Sequence, residues 1–558
     1  MSFCLESKSS DCKNCYKCIR HCPIKAISFN DNRATIIKDD CILCGRCYLV
    51  CPQNVKSVRN DLDLVKKMIN NHEKVIVSIA PSFISNYLGC SFSSISKALK
   101  KLGFFEVEET AVGATLVKNA YDEMLDEKHD VIISSCCHSI NLLIQKHYPK
   151  ALPYLANVYS PMVAHGKDIK SRYDDAKVVF IGPCIAKKDE GEVYKEYIDA
   201  VLTFVELDMW LKEESVEIEK DDSDHNAFSK ARLFPICGGI LSSMKCENQD
   251  YQYLAIDGVE QCERVIKDVI DGKIHKCFIE LSACNGSCVN GPMLSSHDQS
   301  LAQNYMAIKK NAGDKDFKSF KLKSPEIENN YQAKVILHAE PSEEEIEKTL
   351  EKMGKANGAN QLNCGSCGYN SCREKAIAVI QGKAIKEMCL PYLMEKAQSF
   401  SDKIVSRSPN GLLVLDESLD IQLANKSLCK IIGVDSPEII LKKNVTTIFE
   451  PEDFVRALDG ESIYSKKTYL NEYDKFVELS ITYDHKYHIL ICILKDITSS
   501  EISAQKRAEV LQKTIDITDK VIAKNMRAVQ EIASLLGESA AETKVALSSL
   551  KDTLKNDK

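Results

Sequence analysis

Two twelve-residue runs, CKNCYKCIRHCP (residues 12–23) and CILCGRCYLVCP (41–52), place cysteines at the same intervals, and each ends on a proline. The spacing C-x2-C-x2-C-x3-C-P suits iron–sulfur cubanes. Three closely spaced thiolates wrap three corners of a [4Fe–4S] body, and the fourth cysteine of each run reaches across to the other body. One set is then Cys12, Cys15, Cys18 and Cys51, and the second is Cys41, Cys44, Cys47 and Cys22. Zinc is the rival metal for such thiols, and the duplication with both prolines weighs against it. A third group, NCGSCGYNSC with Cys364, Cys367 and Cys372, is followed by Cys389 in EMCLP. It can close round one more cubane or a Cys4 zinc. Gly365 and Gly368 allow a tight turn that aims backbone N–H groups at sulfur. The helical pattern REKAIAVIQGKAIKEM would return Cys389 to the loop.

The fourth group is dispersed: SSCCHS (134–139), GPCIAKKDE (182–190) and LSACNGSCVNGP (281–292). Each follows an apolar, strand-like run, DVIIS, AKVVFIG or KCFIEL. Strands alternating with helical stretches predict parallel α/β layers, whose functional loops gather at the carboxyl ends of the strands. Three such loops can converge on one buried site. Adjacent side chains leaving a strand diverge, so Cys136 and Cys137 are expected to face different surroundings. The helical stretch SINLLIQKHY follows them, and its N-terminus is expected to lower the pKa of the Cys136 thiol.

The duplicated runs resemble the bacterial dicluster ferredoxins, and the three dispersed loops resemble the H-cluster motifs of [FeFe]-hydrogenases. The second resemblance implies a [4Fe–4S] cubane held by Cys137, Cys184, Cys284 and Cys288. Cys288 would bridge to a diiron subsite carrying CO, cyanide and a dithiolate amine. It further implies that Lys187 hydrogen-bonds one cyanide and that Ala80, Pro81 and Ser82 of IAPS (79–82) line the other. Glu190 and Glu280 match the motif glutamates, Cys136 matches the proton-side cysteine, and CGG (237–239) matches a TGG segment. Four [4Fe–4S] clusters and one diiron unit are the expected cofactors.

Several positions depart from a fast hydrogenase. Tyr121 and Met124 stand where two proton-carrying glutamates are expected, and Ala156 where a serine is expected. Gly182 and Ser282 replace methionines that pack on the diiron unit, and His138 and Ile140 replace a proline and a tryptophan. A relay with missing links slows turnover, because each proton step needs hydrogen-bond reach.

Those sites must be positioned by a long chain. At 558 residues it exceeds one ordinary core, and three or more domains are expected. A hydrophobic content of 44%, a charged content of 27% and a formal charge of −7 describe a globular protein without a nucleic-acid-binding stripe. No apolar run has membrane length and the start lacks a signal-like core, so a cytoplasmic location is expected. There, twenty-five cysteines point to metal rather than disulfides. Cys4, Cys90, Cys237, Cys246, Cys262, Cys277, Cys429 and Cys492 are read as small apolar residues.

After about residue 300 a polar connector precedes the acidic helix PSEEEIEKTLEKMGK. From 401 the pattern of SPNGLLVLDESLDIQLANKSLCKIIG, a short helix TTIFEPEDF and two late strands resembles a PAS sensor domain. In the final segment Ile522, Met526, Val529, Ala533, Leu536, Ala540, Leu547, Leu550 and Leu554 form a seam with Thr543 in the gap. That seam suits a coiled coil or one amphipathic helix packed on the preceding domain. The expected fold is multidomain α+β and α/β. It comprises a dicluster ferredoxin domain (1–60), an α/β H-cluster domain (61–325), a small helical [4Fe–4S] domain (340–400), a PAS domain (401–500) and a helical output segment (501–558).

The expected function is that of a low-turnover H2 or redox sensor. The alternatives are a ferredoxin-linked catalytic hydrogenase and an iron–sulfur carrier or assembly protein lacking the diiron unit. Expected partners are H2 and protons, a redox protein such as ferredoxin, hydrogenase maturation proteins, a downstream kinase or phosphatase and a second copy of the chain, with neither nucleic acid nor membrane.

Overall fold

A computed structural model describes residues 3–8, 12–127, 129–221, 229–295, 297–318, 320–336, 338, 340–356 and 358–555. The chain divides into two compact units, Met1–Leu393 and Met394–Lys558. No helix among the described residues is long and apolar enough to cross a membrane.

The duplicated cysteine runs fold with four short strands, β1 (Leu5–Ser7), β2 (Ile27–Asn30), β3 (Arg33–Ile36) and β4 (Lys56–Val58). β1 pairs antiparallel with β4, and β2 with β3. Each run carries a short helix, Lys17–His21 or Arg46–Leu49, entered through a left-handed residue, Tyr16 or Gly45. The turns that wrap thiols round a cluster are made there.

Seven further strands follow: β5 (Val75–Ile79), β6 (Glu106–Glu109), β7 (Val131–Ile133), β8 (Lys177–Gly182), β9 (Ala200–Thr203), β10 (Gln252–Asp257) and β11 (Cys277–Ser282). They form two separate parallel sheets, ordered β6-β5-β8-β9 and β10-β11-β7. All five residues of β5 are buried, as is usual for a parallel strand covered by helices on both faces. The four-stranded sheet has its own core around Ile76, Val179 and Phe204. A second core joins β7 and β11 to the ferredoxin-like segment and to Tyr369, Ala384 and Met388 near the third cysteine group. Parallel layers were legible in the sequence; their division into two sheets was not.

The polar connector after residue 300 is built into this unit. Leu301–Asn311 is a helix with a Ser300/Gln303 capping box, and Leu322 and Ile327 are buried. The Asp168 carboxylate accepts from the Lys321 backbone N–H at 2.8 Å. The expected helix through REKAIAVIQGKAIKEM is interrupted. Cys372–Ile380 is helical, Gly382 turns the chain at φ +69, and a 3-10 turn at Lys386–Met388 delivers Cys389.

The second unit holds a five-stranded antiparallel sheet of β12 (Gly411–Asp416), β13 (Ile421–Ala424), β14 (Ile463–Leu470), β15 (Lys475–Asp484) and β16 (Ile489–Asp496), ordered β13-β12-β16-β15-β14. Asn425 caps the helix Lys426–Ile432 by accepting from the Leu428 N–H at 2.9 Å. TTIFEPEDF splits into a 3-10 turn, Val445–Thr447, and the helix Glu452–Leu458. One continuous helix, Thr498–Lys555, carries the apolar seam, and Ile522, Met526, Val529, Leu536, Leu547 and Leu550 are exposed along it. The side chain of Leu554 lies outside the described set.

Candidate metal centres

Cys12, Cys15, Cys18 and Cys51 line one cavity, and Cys22, Cys41, Cys44 and Cys47 line another. Each run thus lends its fourth cysteine to the other. In the second set the Cys22 sulfur accepts from the Ala26 N–H and the Cys41 sulfur from the Leu43 N–H, both at 3.3 Å. Burial pushes the Cys22 and Cys41 thiols up to about 12. Such thiols hold their protons until a metal displaces them, so loading releases protons into a site already shaped. Among the described residues no three His, Cys, Asp or Glu side chains close on a single ion. These thiols stand round cavities, an arrangement that fits a cluster held at its corners.

Cys364, Cys367, Cys372 and Cys389 share a further cavity with Tyr369 and Lys375. The loop rests on the ferredoxin-like segment. Arg20 donates to the Ser366 carbonyl at 3.1 Å and Lys25 to that of Gly368 at 2.8 Å. Gly368 has φ +93, and a Cβ there would lie 2.9 Å from Ile19 Cγ2, so contact and backbone both demand glycine.

The dispersed cysteines leave three strand ends. Cys136 and Cys137 follow β7, Cys184 follows β8, and Cys284 and Cys288 follow β11. Burial and then the nearby Cys137 thiol push Cys184 up to about 11. Burial, then Cys184 and Cys137, raise both Cys284 and Cys288. Four thiols therefore meet at strand ends drawn from both sheets, and Cys288 is exposed. Gly45 of the second ferredoxin-like run presses on this site, for a Cβ there would lie 2.6 Å from Pro292 and 3.1 Å from Ile185. Cys44 also acts on Cys284, so the two thiol sets are electrostatic neighbours.

Cys136 and Cys137 do diverge: Cys136 packs with Tyr121 and Phe278, and Cys137 with the core shared by β7 and the ferredoxin-like segment. The expected depression of the Cys136 pKa is overturned. Burial pushes the thiol up to about 12, and its hydrogen bond with Tyr121 offsets only part of that. The helix begins at His138 with Cys137 as its N-cap, so Cys136 lies outside the first turn. Tyr121, read in the sequence as a lost carrier, is the direct neighbour of that thiol. Its hydroxyl lies 3.3 Å from the Cys136 sulfur and 3.1 Å from Ser135 Oγ, and it accepts from the Ser135 N–H at 2.9 Å. Met124 packs near the same core, and Ala156 is buried.

Lys187 donates to the Cys136 carbonyl at 3.2 Å and pairs with buried Glu190. Burial lowers its pKa, but the Glu190 carboxylate outweighs that and the net shift is upward. His138 hydrogen-bonds Asp189 at 2.8 Å. Ala80, Pro81 and Ser82 follow β5 and are buried, and the Ser82 hydroxyl has no hydrogen-bond partner among the described residues. Gly182 lies against Ala80, and a Cβ there would sit 2.8 Å from the Phe180 ring, so Phe180 fills space beside this loop. Ser282 Oγ is 2.7 Å from Ser287 Oγ. Glu280 accepts from the N–H groups of Gly238, Ile240 and Leu241 at 3.0, 3.0 and 3.2 Å. Its carboxylate is spent on the CGG turn.

Sequence reasoning missed the Tyr121 contact and the buried ammonium of Lys375. Only the place of Lys375 between two cysteines of one set hinted at the latter.

Residues 73–292 match the family of the iron-only hydrogenase large subunit, C-terminal domain. Residues 11–55 match the 4Fe-4S dicluster domain, and residues 360–391 an Fe–S cluster family. The periplasmic [Fe] hydrogenase large subunit of Nitratidesulfovibrio vulgaris is 25% identical over 322 residues, covering 44% of this chain and 76% of that protein. Iron hydrogenase 1 of Clostridium pasteurianum is 29% identical over 366 residues, covering 46% of this chain and 64% of that one. Protein NAR1 of Arabidopsis thaliana is 21% identical over 339 residues, covering 45% and 71%.

Proposed function

Taking residues 73–292 as an iron-only-hydrogenase-like domain within an iron–sulfur protein, we propose that the chain is a slow [FeFe]-hydrogenase-type oxidoreductase that senses H2 or redox poise. The buried Ser82 hydroxyl, without a hydrogen-bond partner among the described residues, carries this reading. A donor without an acceptor costs about 1–3 kcal/mol, and a small polar ligand beside the loop would satisfy it. Lys187 offers a second, partly buried donor on the side of Cys136. Cys137, Cys184, Cys284 and Cys288 would hold the cubane, and Ala80, Pro81, Ser82 and Lys187 would hold the cyanides of a diiron unit. When bound, such a unit would supply a Lewis-acidic iron and a basic amine for H2 chemistry. Cys136 would hold a proton at its sulfur, backed by the Tyr121 hydroxyl rather than by a carboxylate, which makes proton exchange slow.

The five-stranded sheet, read as a PAS module, and the long helix would carry the state to a kinase or phosphatase, with the chain as a cytoplasmic homodimer. Ferredoxin would exchange electrons with the cysteine sets, and maturation proteins would deliver the diiron unit. A second reading, an iron–sulfur carrier or assembly protein without that unit, is favoured by the similarity to Protein NAR1, whose name is not that of a hydrogenase.

Infrared spectroscopy of protein co-expressed with maturation enzymes separates the two readings. CO and cyanide bands are expected, and their absence would leave the carrier. Dye-linked H2 turnover is expected to be slow, and a rate equal to that of dedicated hydrogenases would remove the sensor.

A further inference from the structure

We propose that Lys375 is a potential-setting residue: its buried ammonium raises the potential of the cluster held by Cys364, Cys367, Cys372 and Cys389. The proposal rests on the reading of these cysteines as cluster sites and not on which reaction the chain performs.

Lys375 is 1% exposed and lines the same cavity as the four cysteines. Its ammonium lies 3.0 Å from the Met388 sulfur and 5.1 Å from the centroid of the Tyr369 ring. Neither neighbour cancels a positive charge. Burial pulls its pKa down to about 8, and the groups that oppose this are the Cys367 and Cys389 thiolates and, more weakly, Glu387. A lysine buried without a carboxylate at contact distance is expensive unless something anionic stands beside it. A cubane with four thiolates is anionic, and its reduction adds one electron, no proton and one further negative charge. An ammonium fixed in a poorly polarisable pocket favours the reduced form.

The second set has cations of its own: Lys146 donates to the Cys41 carbonyl at 2.8 Å, and Lys56 acts on Cys47. Arg46, next to Cys44, is paired with Glu260. Lys25 donates to the Gly368 carbonyl at 2.8 Å and to the Ile19 and Arg20 carbonyls at 3.3 Å, and it acts on Cys22 of the second set more than on Cys367. Tyr369 is acted on by both Cys367 and Cys22, which places the two sets side by side. Lys56, the buried lysine beside the first set, donates to Ser7 Oγ at 2.6 Å and the Ala34 carbonyl at 3.0 Å, and those dipoles take up part of its field.

The test is a potentiometric titration of the full chain with its cubanes loaded, expressed without maturation enzymes and read by electron paramagnetic resonance. Dithionite supplies the electrons, and Cys367→Ala and Cys47→Ala identify the two signals. In the parent both signals are titrated, and the second set serves as the internal reference for the 364–389 signal. In Lys375→Met its reduced-to-oxidised ratio at fixed poise should fall about tenfold, which is about 59 mV for one electron, while Lys375→Arg should stay within about twofold of the parent. An unshifted Lys375→Met, or a Lys375→Arg shifted as far as Lys375→Met, overturns the proposal. Loss of cluster iron in Lys375→Met with retention in Lys375→Arg assigns the residue to loading and also overturns it, as does loss in both. None of these outcomes depends on CO, cyanide or H2 turnover.

Discussion

Glu280 accepts three backbone N–H groups from the 238–241 turn, yet burial pushes its carboxyl up to about 7. A carboxyl raised in the folded state stabilises the fold fully below its unfolded value, near 4.5, and loses that contribution as pH rises through the folded value. Thermal melts are therefore expected to drop between pH 5 and pH 7.5, and Glu280→Gln should flatten that slope. Equal slopes in the two proteins would show that Glu280 does not titrate differently on folding. The neighbouring lysines 187 and 188 divide their work in the same residue-by-residue way. Lys188 is fully buried against Asp61 and Glu206, at 2.8 and 3.0 Å, and ties the fold together. Lys187, on another face of the helix Ala186–Val193, turns toward Cys136.

Among the elements, the loop 364–368 shows how docking and cluster formation depend on one contact. Gly368 meets Ile19 and the backbone of Arg20, whereas Gly382 also has positive φ but nothing near its missing Cβ. Gly368→Ala combines overpacking with an unfavourable φ and should cost about 1–3 kcal/mol from the packing alone. Gly382→Ala bears only the backbone strain. Limited proteolysis between residues 340 and 363 should quicken in Gly368→Ala and much less in Gly382→Ala. Equal rates would mean that strain, not the Ile19 contact, governs docking. The 3-10 turn at Lys386–Met388 shows a related limit. The helical periodicity of REKAIAVIQGKAIKEM is real up to Ile380, but Gly382 breaks it, and the break lets Cys389 reach the cavity.

At the scale of the whole molecule, the first unit holds all four cysteine sets, and the second has an antiparallel sheet and a 58-residue helix. That helix exposes an apolar seam at coiled-coil spacing, which a second copy could cover. A chain ending at residue 510 keeps the Lys467–Glu501 pair and the Thr498 contact with Phe476 but lacks most of the seam. Light scattering should give a dimer for the full chain and a monomer for the shortened one; identical masses would remove the dimer.

The cysteine sets and the strand ends that carry the dispersed thiols were legible in the sequence, because thiolate spacing and strand periodicity are local properties of the chain. The divergence of Cys136 and Cys137 was legible for the same reason. Tertiary structure decided the rest. Packing split the parallel strands into two sheets and brought the thiols together at strand ends drawn from both. Burial of Cys136 reversed the pKa shift that a nearby helix end suggested. Folding also brought Tyr121 to the Cys136 sulfur and enclosed Lys375 beside Met388 and Tyr369. Desolvation and long-range contact are properties of the packed chain, and no spacing of residues along the sequence encodes them directly.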